Sequence, residues 1–204
     1  MACEDTRRTR ALLSHFDLHK PVVSYYEHNK LVRGPRIVAQ LVEGRSIALV
    51  TDAGTPGISD PGFMLVRDAR AAGVAVVPIP GPSAVVTALS AAGIPADRFV
   101  FDGFLPVKPG RRLNRLRALQ ALETTIVLYE SPHRIVATLG AIRGVFGDVE
   151  IVVARELTKQ FEEISRAAPA THLDRLSAAP VRGEFTVVIP FLRPPAPSVE
   201  AEDA

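Results

Sequence analysis

Four short stretches of this chain hold residues able to do chemistry, and each follows an apolar, β-branched run. In DAGTPGISDPG, Asp52 and Asp60 bracket a glycine- and proline-rich loop with no basic residue. Their carboxylates can accept hydrogen bonds from ribose hydroxyls, an amino group or a cation. The glycines let backbone approach a ligand closely. Asp60 reads more simply as a cap for a turn or for the helix after Pro61. The loop as a whole is longer and richer than a turn requires, and it reads as ligand-binding. In PGPSA, Ser83 can cap a helix of small residues whose first N–H groups suit an anion. Taken alone, that stretch is a well-capped structural helix. LYESPHR places Glu130, His133 and Arg134 where a strand meets a helix. Glu130 and His133 can form an acid/base pair, or the carboxylate can orient the imidazole. A lone histidine at a helix start is more often a surface or capping residue. Arg134 suits an anionic group. ARELTK supplies Arg155, Glu156 and Lys159, for which an internal ion pair on a solvated loop is a competing account.

Basic residues cluster twice. RRTR supplies Arg7, Arg8 and Arg10. KPGRRLNRLR supplies Lys108, Arg111, Arg112, Arg115 and Arg117, with no acidic residue between Gly103 and Leu122. Such a patch can bind phosphates although the net charge is only +2. A solvated helix face is the plainer account, and no aromatic residue interleaves to suggest base stacking. Neither GxGxxG nor GxxxxGK[ST] occurs, so the usual dinucleotide and P-loop readings lack support. The single cysteine, Cys3, excludes an intrachain disulfide and a cysteine-based zinc site, and no ligand cluster suggests a metal. No apolar run is long enough to span a membrane.

The elements that must position these groups alternate between strand and helix. Strands are expected at Val22–Tyr26, Ser46–Val50, Val74–Ile79, Phe99–Phe104, Thr125–Tyr129, Glu150–Ala154 and Phe185–Phe191. Helices are expected between them: one capped by Asp5 or Thr6, one after Pro35, others stopping at Gly73 and Gly93, a leucine-repeat helix over Leu113–Leu122, and one starting at Ser131–Pro132. The pattern indicates α/β architecture with mostly parallel sheets. Gly93–Arg98 looks like a break, giving an N-terminal domain over residues 1–95, a C-terminal domain over 96–192, and a proline- and acid-rich disordered tail over 193–204. The chain enters directly on CEDTRRTR, with no strand foreseen before the first helix.

Taken in order, EDTRRT, VTDAGTPGISDPG, PGPSA, GFLP, YESPHR, ARELTK and RGE resemble the ribosomal small-subunit methyltransferase I family, within the tetrapyrrole methylase-like, class III S-adenosylmethionine methyltransferases. The resemblance runs from about Cys3 to Ile189. It implies two α/β domains with the cofactor in the cleft between them, a homodimer, and an enzyme acting on 16S rRNA of the small ribosomal subunit; the lone cysteine fits a reducing cytoplasm. The reaction implied is methyl transfer to a cytidine ribose 2′-hydroxyl. One wall of the cofactor site would be Asp52, Ala53, Gly54, Thr55, Pro56 and Ile58, joined by Ser83 and Ala84. Tyr129, Glu156 and Leu157, beside Glu130, would form the other. Family members begin with a strand and a Pro-x-Gly-Asn-Leu-type loop ahead of the EDTR segment, and this chain is expected to lack them.

A ribose hydroxyl is a weak nucleophile, so proton removal should help. Asp5, Glu130 and His133 are the candidate bases. Arg7, Arg8, Arg134 and Lys159 would hold RNA phosphates, with Lys108, Arg111 and Arg112 as an outer contact. Two other readings stand beside this one: a methyltransferase of the same fold acting on a small substrate such as a tetrapyrrole, or a non-catalytic RNA-binding module.

Overall fold

A computed structural model describes residues 1–191; the tail expected at 193–204 lies outside them. The chain divides into two compact units, Met1–Ser83 and from Ala84 onward.

The first unit contains β1 (Ala2–Cys3), α1 (Thr6–His15), β2 (Val23–Ser24), α2 (Lys30–Val42), β3 (Leu49–Val50) and α3 (Gly62–Ala71). Its three strands run parallel in the order β2-β1-β3. A strand therefore does precede the first helix, and it is the central one. Its two residues, Ala2 and Cys3, are fully buried. A two-residue element leaves no alternating pattern in a sequence, so it was not foreseen. Tyr25, Ile37 and Leu65 pack on Ala2 to form a small core between the sheet and its helices. The strand expected at Val74–Ile79 is not formed. Those residues favour β structure, but a strand exists only by pairing. Here Val77 and Ile79 are exposed.

The second unit begins with α4 (Ala84–Ala92), followed by β4 (Phe99–Phe104), α5 (Pro109–Gln120), β5 (Thr125–Glu130), α6 (Ile135–Phe146), β6 (Ile151–Arg155), β7 (Glu163–Ala167), α7 (Pro169–Ser177) and β8 (Phe185–Ile189). The division thus falls ahead of α4 rather than after it. The reason is packing: Val85, Ala88, Leu89 and Ala92 bury against Val127, Val152 and Val188 of the sheet. The opposite sheet face is covered by α5, α6 and α7 through Leu116, Leu119, Ile135, Leu139 and Leu176. The five strands run β4-β5-β8-β6-β7. This sheet is mixed rather than mostly parallel, because β8 returns antiparallel between β5 and β6 and β7 is antiparallel to β6. Among the described residues no helix is long and apolar enough to cross a membrane.

Candidate functional site

Topology gathers the chemically equipped stretches at one edge of each sheet. In open α/β sheets, ligands collect beyond the carboxyl ends of parallel strands. In the first unit, β1 ends at Cys3 and opens into Glu4–Arg8, while β3 ends at Val50 and opens into Thr51–Pro61. Side chains join the two segments: Arg8 lies 3.5 Å from Asp52, and the Thr51 hydroxyl lies 3.1 Å from Glu4 Oε2 and 2.5 Å from Asp60 Oδ2.

Asp60 shapes this loop from within. Its Oδ1 accepts from the Gly62 N–H at 2.8 Å and from the Gly57 N–H at 3.3 Å. The carboxylate thus caps the turn and the start of α3, the role its position suggested. Gly62 is a close-approach position: a Cβ there would sit 2.9 Å from the Gly57 nitrogen. Gly54 has φ +70° and nothing within 4 Å of where a Cβ would stand. Its backbone is therefore bare toward open space, as close approach by a flat ligand requires. Thr55 donates to the Pro82 carbonyl at 3.1 Å. The DAGTPG loop and the Pro-Gly-Pro turn leading to Ser83 are thereby brought together.

In the second unit β4, β5 and β6 end at the same edge where β8 begins, since Phe104 is in register with Tyr129, and both Glu130 and Arg155 with Phe185. GFLP, YESPHR, ARELTK and RGE consequently meet. Glu156 accepts from the Glu184 backbone N–H at 2.9 Å, and Glu184 O accepts from the Glu156 N–H at 3.0 Å. Lys159 sits 2.9 Å from both Glu156 and Glu184. The ammonium, with the Glu184 amide, holds the Glu156 carboxyl below the usual carboxylate range, and the two carboxylates raise the Lys159 pKa. Glu156 and Thr158 adopt φ of +50° and +66°. Left-handed backbone is costly for a β-branched threonine; it is held here by the Thr158 N–H donating to Glu162. Leu157 packs on the α4 side of the sheet. The Tyr129 ring meets Phe101 edge-on at 4.7 Å and Phe104 at 5.9 Å. Burial, then the Glu184 charge, raises the phenol pKa, so Tyr129 stays protonated at neutral pH.

The geometry separates the three candidate bases. Glu130 has a fully buried side chain. One oxygen accepts from the Ser131 N–H at 2.9 Å and the other from the Thr138 hydroxyl at 2.7 Å. Arg134 Nε stands 3.3 Å from Oε1, an ion pair without hydrogen-bond alignment. A carboxylate so enclosed holds structure in place and has no open path for a substrate proton. Asp5 caps α1 through the Arg7 N–H at 2.8 Å, and its bonds to Arg7 lower its pKa to about 2, too acidic for an effective base near neutrality. His133 is exposed at the strand-end edge.

The candidate RNA contacts divide likewise. Arg7 and Arg8 are exposed but paired with Asp5 and Asp52. Lys108 and Arg111 are exposed. Arg112 is buried, with its guanidinium donating to the Pro106 and Val107 carbonyls at 3.3 and 3.0 Å. It cannot be an outer phosphate contact. Arg134 donates to the Leu105 carbonyl. Sequence reasoning passed over Thr51, Glu4 and Thr138, and gave Glu184 no role. The RGE stretch is the sequence signal for Glu184. A shallow concavity of about 430 Å³, lined by Arg98, Phe99, Leu122 and Thr124, opens near the start of β4, away from these motifs.

Fold and strand-edge site together define a protein of the tetrapyrrole methylase class: residues 2–173 match the family Tetrapyrrole (Corrin/Porphyrin) Methylases. Among solved structures, cobalt precorrin-4 methyltransferase superposes with a TM-score of 0.66 at 18% identity, covering 93% of this chain and 82% of that one. A uroporphyrin-III C-methyltransferase from Thermus thermophilus, complexed with S-adenosyl homocysteine, superposes with a TM-score of 0.58 at 15% identity, covering 92% and 83%. Within the class, this chain belongs to the ribosomal RNA small subunit methyltransferase I family. It is 48% identical over 193 residues to the member from Xylella fastidiosa (strain Temecula1), covering 93% of this chain and 71% of that protein. To the member from Mesorhizobium japonicum it is 46% identical over 191 residues, covering 93% and 65%. The chain spans about two thirds of the length of these relatives.

Proposed function

We propose that this chain is an S-adenosylmethionine-dependent methyltransferase acting on 16S rRNA, and that the acceptor is the ribose 2′-hydroxyl of a cytidine. The observation that carries the reading is the collection of the chemically equipped stretches at two strand-end edges, held by bonds between stretches distant in sequence. Asp52, Ala53, Gly54, Thr55, Pro56 and Ile58 hold the cofactor on the first unit, with Ser83 and Ala84 following the Pro-Gly-Pro turn. The bare backbone at Gly54 fits such a ligand. Tyr129, Glu156 and Leu157 hold it on the second. When bound, the cofactor supplies a methyl group already activated on a sulfonium.

What remains for the protein is to align the acceptor oxygen and exclude water. Alignment alone contributes about 7–11 kcal/mol in favourable cases. In this reading His133, exposed at the strand-end edge, receives the proton, while Glu130 and Asp5 position backbone. The chain works in the cytoplasm as a homodimer on the small ribosomal subunit or its RNA.

Mapping ribose methylation in 16S rRNA after incubation with the chain and S-adenosylmethionine tests this. One new 2′-O-methylcytidine is expected, with His133→Asn cutting transfer about a hundredfold or more at unchanged cofactor affinity by calorimetry. Cofactor binding without any methylated ribose would reject the substrate assignment.

A further inference from the structure

The loop joining β4 to α5 is held with unusual completeness. Three consecutive carbonyls are occupied by two arginines: Leu105 by Arg134, and Pro106 and Val107 by Arg112. Leu105 is buried as an anchor. Arg134 is in turn paired with Glu130, which Thr138 and the Ser131 amide fix from the α6 side. Yet the side chains flanking this anchor point outward: Phe104 is 51% and Val107 is 71% exposed. Tyr129 backs the Phe104 ring, and Phe101 backs Tyr129. Lys108 and Arg111 follow immediately, the first as the extended N-cap of α5 and the second in its first turn. Both are exposed. The neighbouring Arg115 is neutralised by Asp102, which leaves Lys108 and Arg111 as the cations of this lip.

A rigid loop presenting an aromatic ring beside two cations matches single-stranded nucleic acid, where bases stack on aromatic faces and the backbone is met by positive charge. We infer that Phe104–Arg111 is an RNA-binding lip: Phe104, with Val107 beside it, stacks on an unpaired nucleobase of the substrate, and Lys108 and Arg111 meet the adjoining phosphates. At most about 14 Å of chain separates Phe104 from Lys108, so base and phosphate belong to one short stretch of strand. The Arg112–Arg134–Glu130 network keeps the ring presented before RNA arrives, which lowers the ordering cost of binding. The lip rests on the reading of RNA as substrate and adds the residues that grip it.

The test is fluorescence anisotropy of the full chain with a labelled single-stranded fragment of 16S rRNA, over a range of salt. Phe104→Ala should weaken binding about tenfold, and Phe104→Tyr should restore it. Lys108→Glu combined with Arg111→Glu should flatten the dependence of log affinity on log salt by about one to two units. S-adenosylmethionine affinity, measured by calorimetry, should be unchanged in Phe104→Tyr and in the Lys108/Arg111 double variant, since the first keeps the ring against Tyr129 and the second alters only exposed side chains. RNA affinity unaltered in Phe104→Ala overturns the lip while leaving the methyltransferase reading intact. A change of association state in Phe104→Ala, with RNA affinity retained, also overturns it and makes a second copy of the chain the occupant. No RNA affinity in the unaltered chain, with cofactor affinity intact, overturns lip and substrate assignment together.

Discussion

The two strand-end edges are built in opposite ways. In the first unit, three strands of two residues each support a long glycine-rich loop, and one carboxylate, Asp60, gathers its turn by accepting from backbone N–H groups. In the second unit, strands of five or six residues run through a deep core. There the motifs are tied by side-chain ion pairs: Lys159 across Glu156 and Glu184, and Arg134 on Glu130. A loop that accommodates a ligand through its backbone needs that backbone near the surface. A surface that must present fixed side chains needs those side chains held by partners. The contrast therefore sets a loop shaped through its backbone at the first edge against fixed side chains at the second, and single substitutions should expose the difference.

Gly183 carries the largest expected effect. It has φ +92°, and a Cβ there would stand 2.5 Å from Glu156 Cγ. Glu156 is locked by Lys159 and the Glu184 amide, so it can yield only by giving up both. Gly183→Ala should cost about 2–4 kcal/mol, combining left-handed strain with overpacking. Urea unfolding with an unchanged slope measures it. A cost below about 0.5 kcal/mol would mean that the second edge is no more rigid than an ordinary surface turn.

Gly62→Ala probes the other edge. The new Cβ would stand 2.9 Å from the Gly57 nitrogen and 3.1 Å from both Asp60 Oδ1 and Leu49 Cδ2. Backbone must move, for about 1–3 kcal/mol. Because the loop rests on strands of only two residues, the loss should fall more on S-adenosylmethionine affinity than on global unfolding. Calorimetry beside urea unfolding separates the two, and an equal loss in both would place this loop within the folding core.

Arg112 shows where the sequence was legible and where it was not. Charge alone groups it with Arg111 as a basic patch, but its spacing from Leu116 and Leu119 puts it on the apolar face of α5, and all three are buried. Helical periodicity would have found this; charge counting did not. The apolar runs of β4, β5 and β8 were legible as short β-branched stretches bounded by Gly, Pro or charge rather than by period. The two-residue β1 was too short to carry a pattern. The edge strand β7, half-exposed and polar, resembled a loop. Val74–Ile79 had the composition of a strand, but pairing is non-local and composition does not report it. At the site, Asp60 was legible as a cap because its spacing to Gly62 is local. The enclosure of Glu130 carries no local signal, because its partners Thr138 and Arg134 come from the start of α6. The consequence is measurable: Arg112→Ala should cost about 1–2 kcal/mol in unfolding and leave the salt dependence of RNA binding unchanged, whereas Arg111→Ala should do the reverse. A flattened salt dependence in Arg112→Ala would return that residue to the RNA surface.

The smallest expected effect is a pH dependence confined to the second unit. His172 of α7 is buried, its Nε2 lies 3.4 Å from the Ile151 carbonyl, and burial pushes its pKa below the ordinary 6.5. The histidines of the first unit, His15, His19 and His28, are exposed. With the folded pKa depressed, the unfolded chain binds more protons between that lowered value and 6.5. Stability from His172 is therefore complete above 6.5 and falls as pH drops toward the folded pKa. Hydrogen exchange should show the amides of β6 and α7 losing protection on acidification from pH about 7.5 to about 5.5, and His172→Gln should remove that difference even if it lowers stability at both pH values. Loss of protection that persists unchanged in His172→Gln would place the acid-sensitive group elsewhere, and the two units would then no longer be distinguished by a buried imidazole.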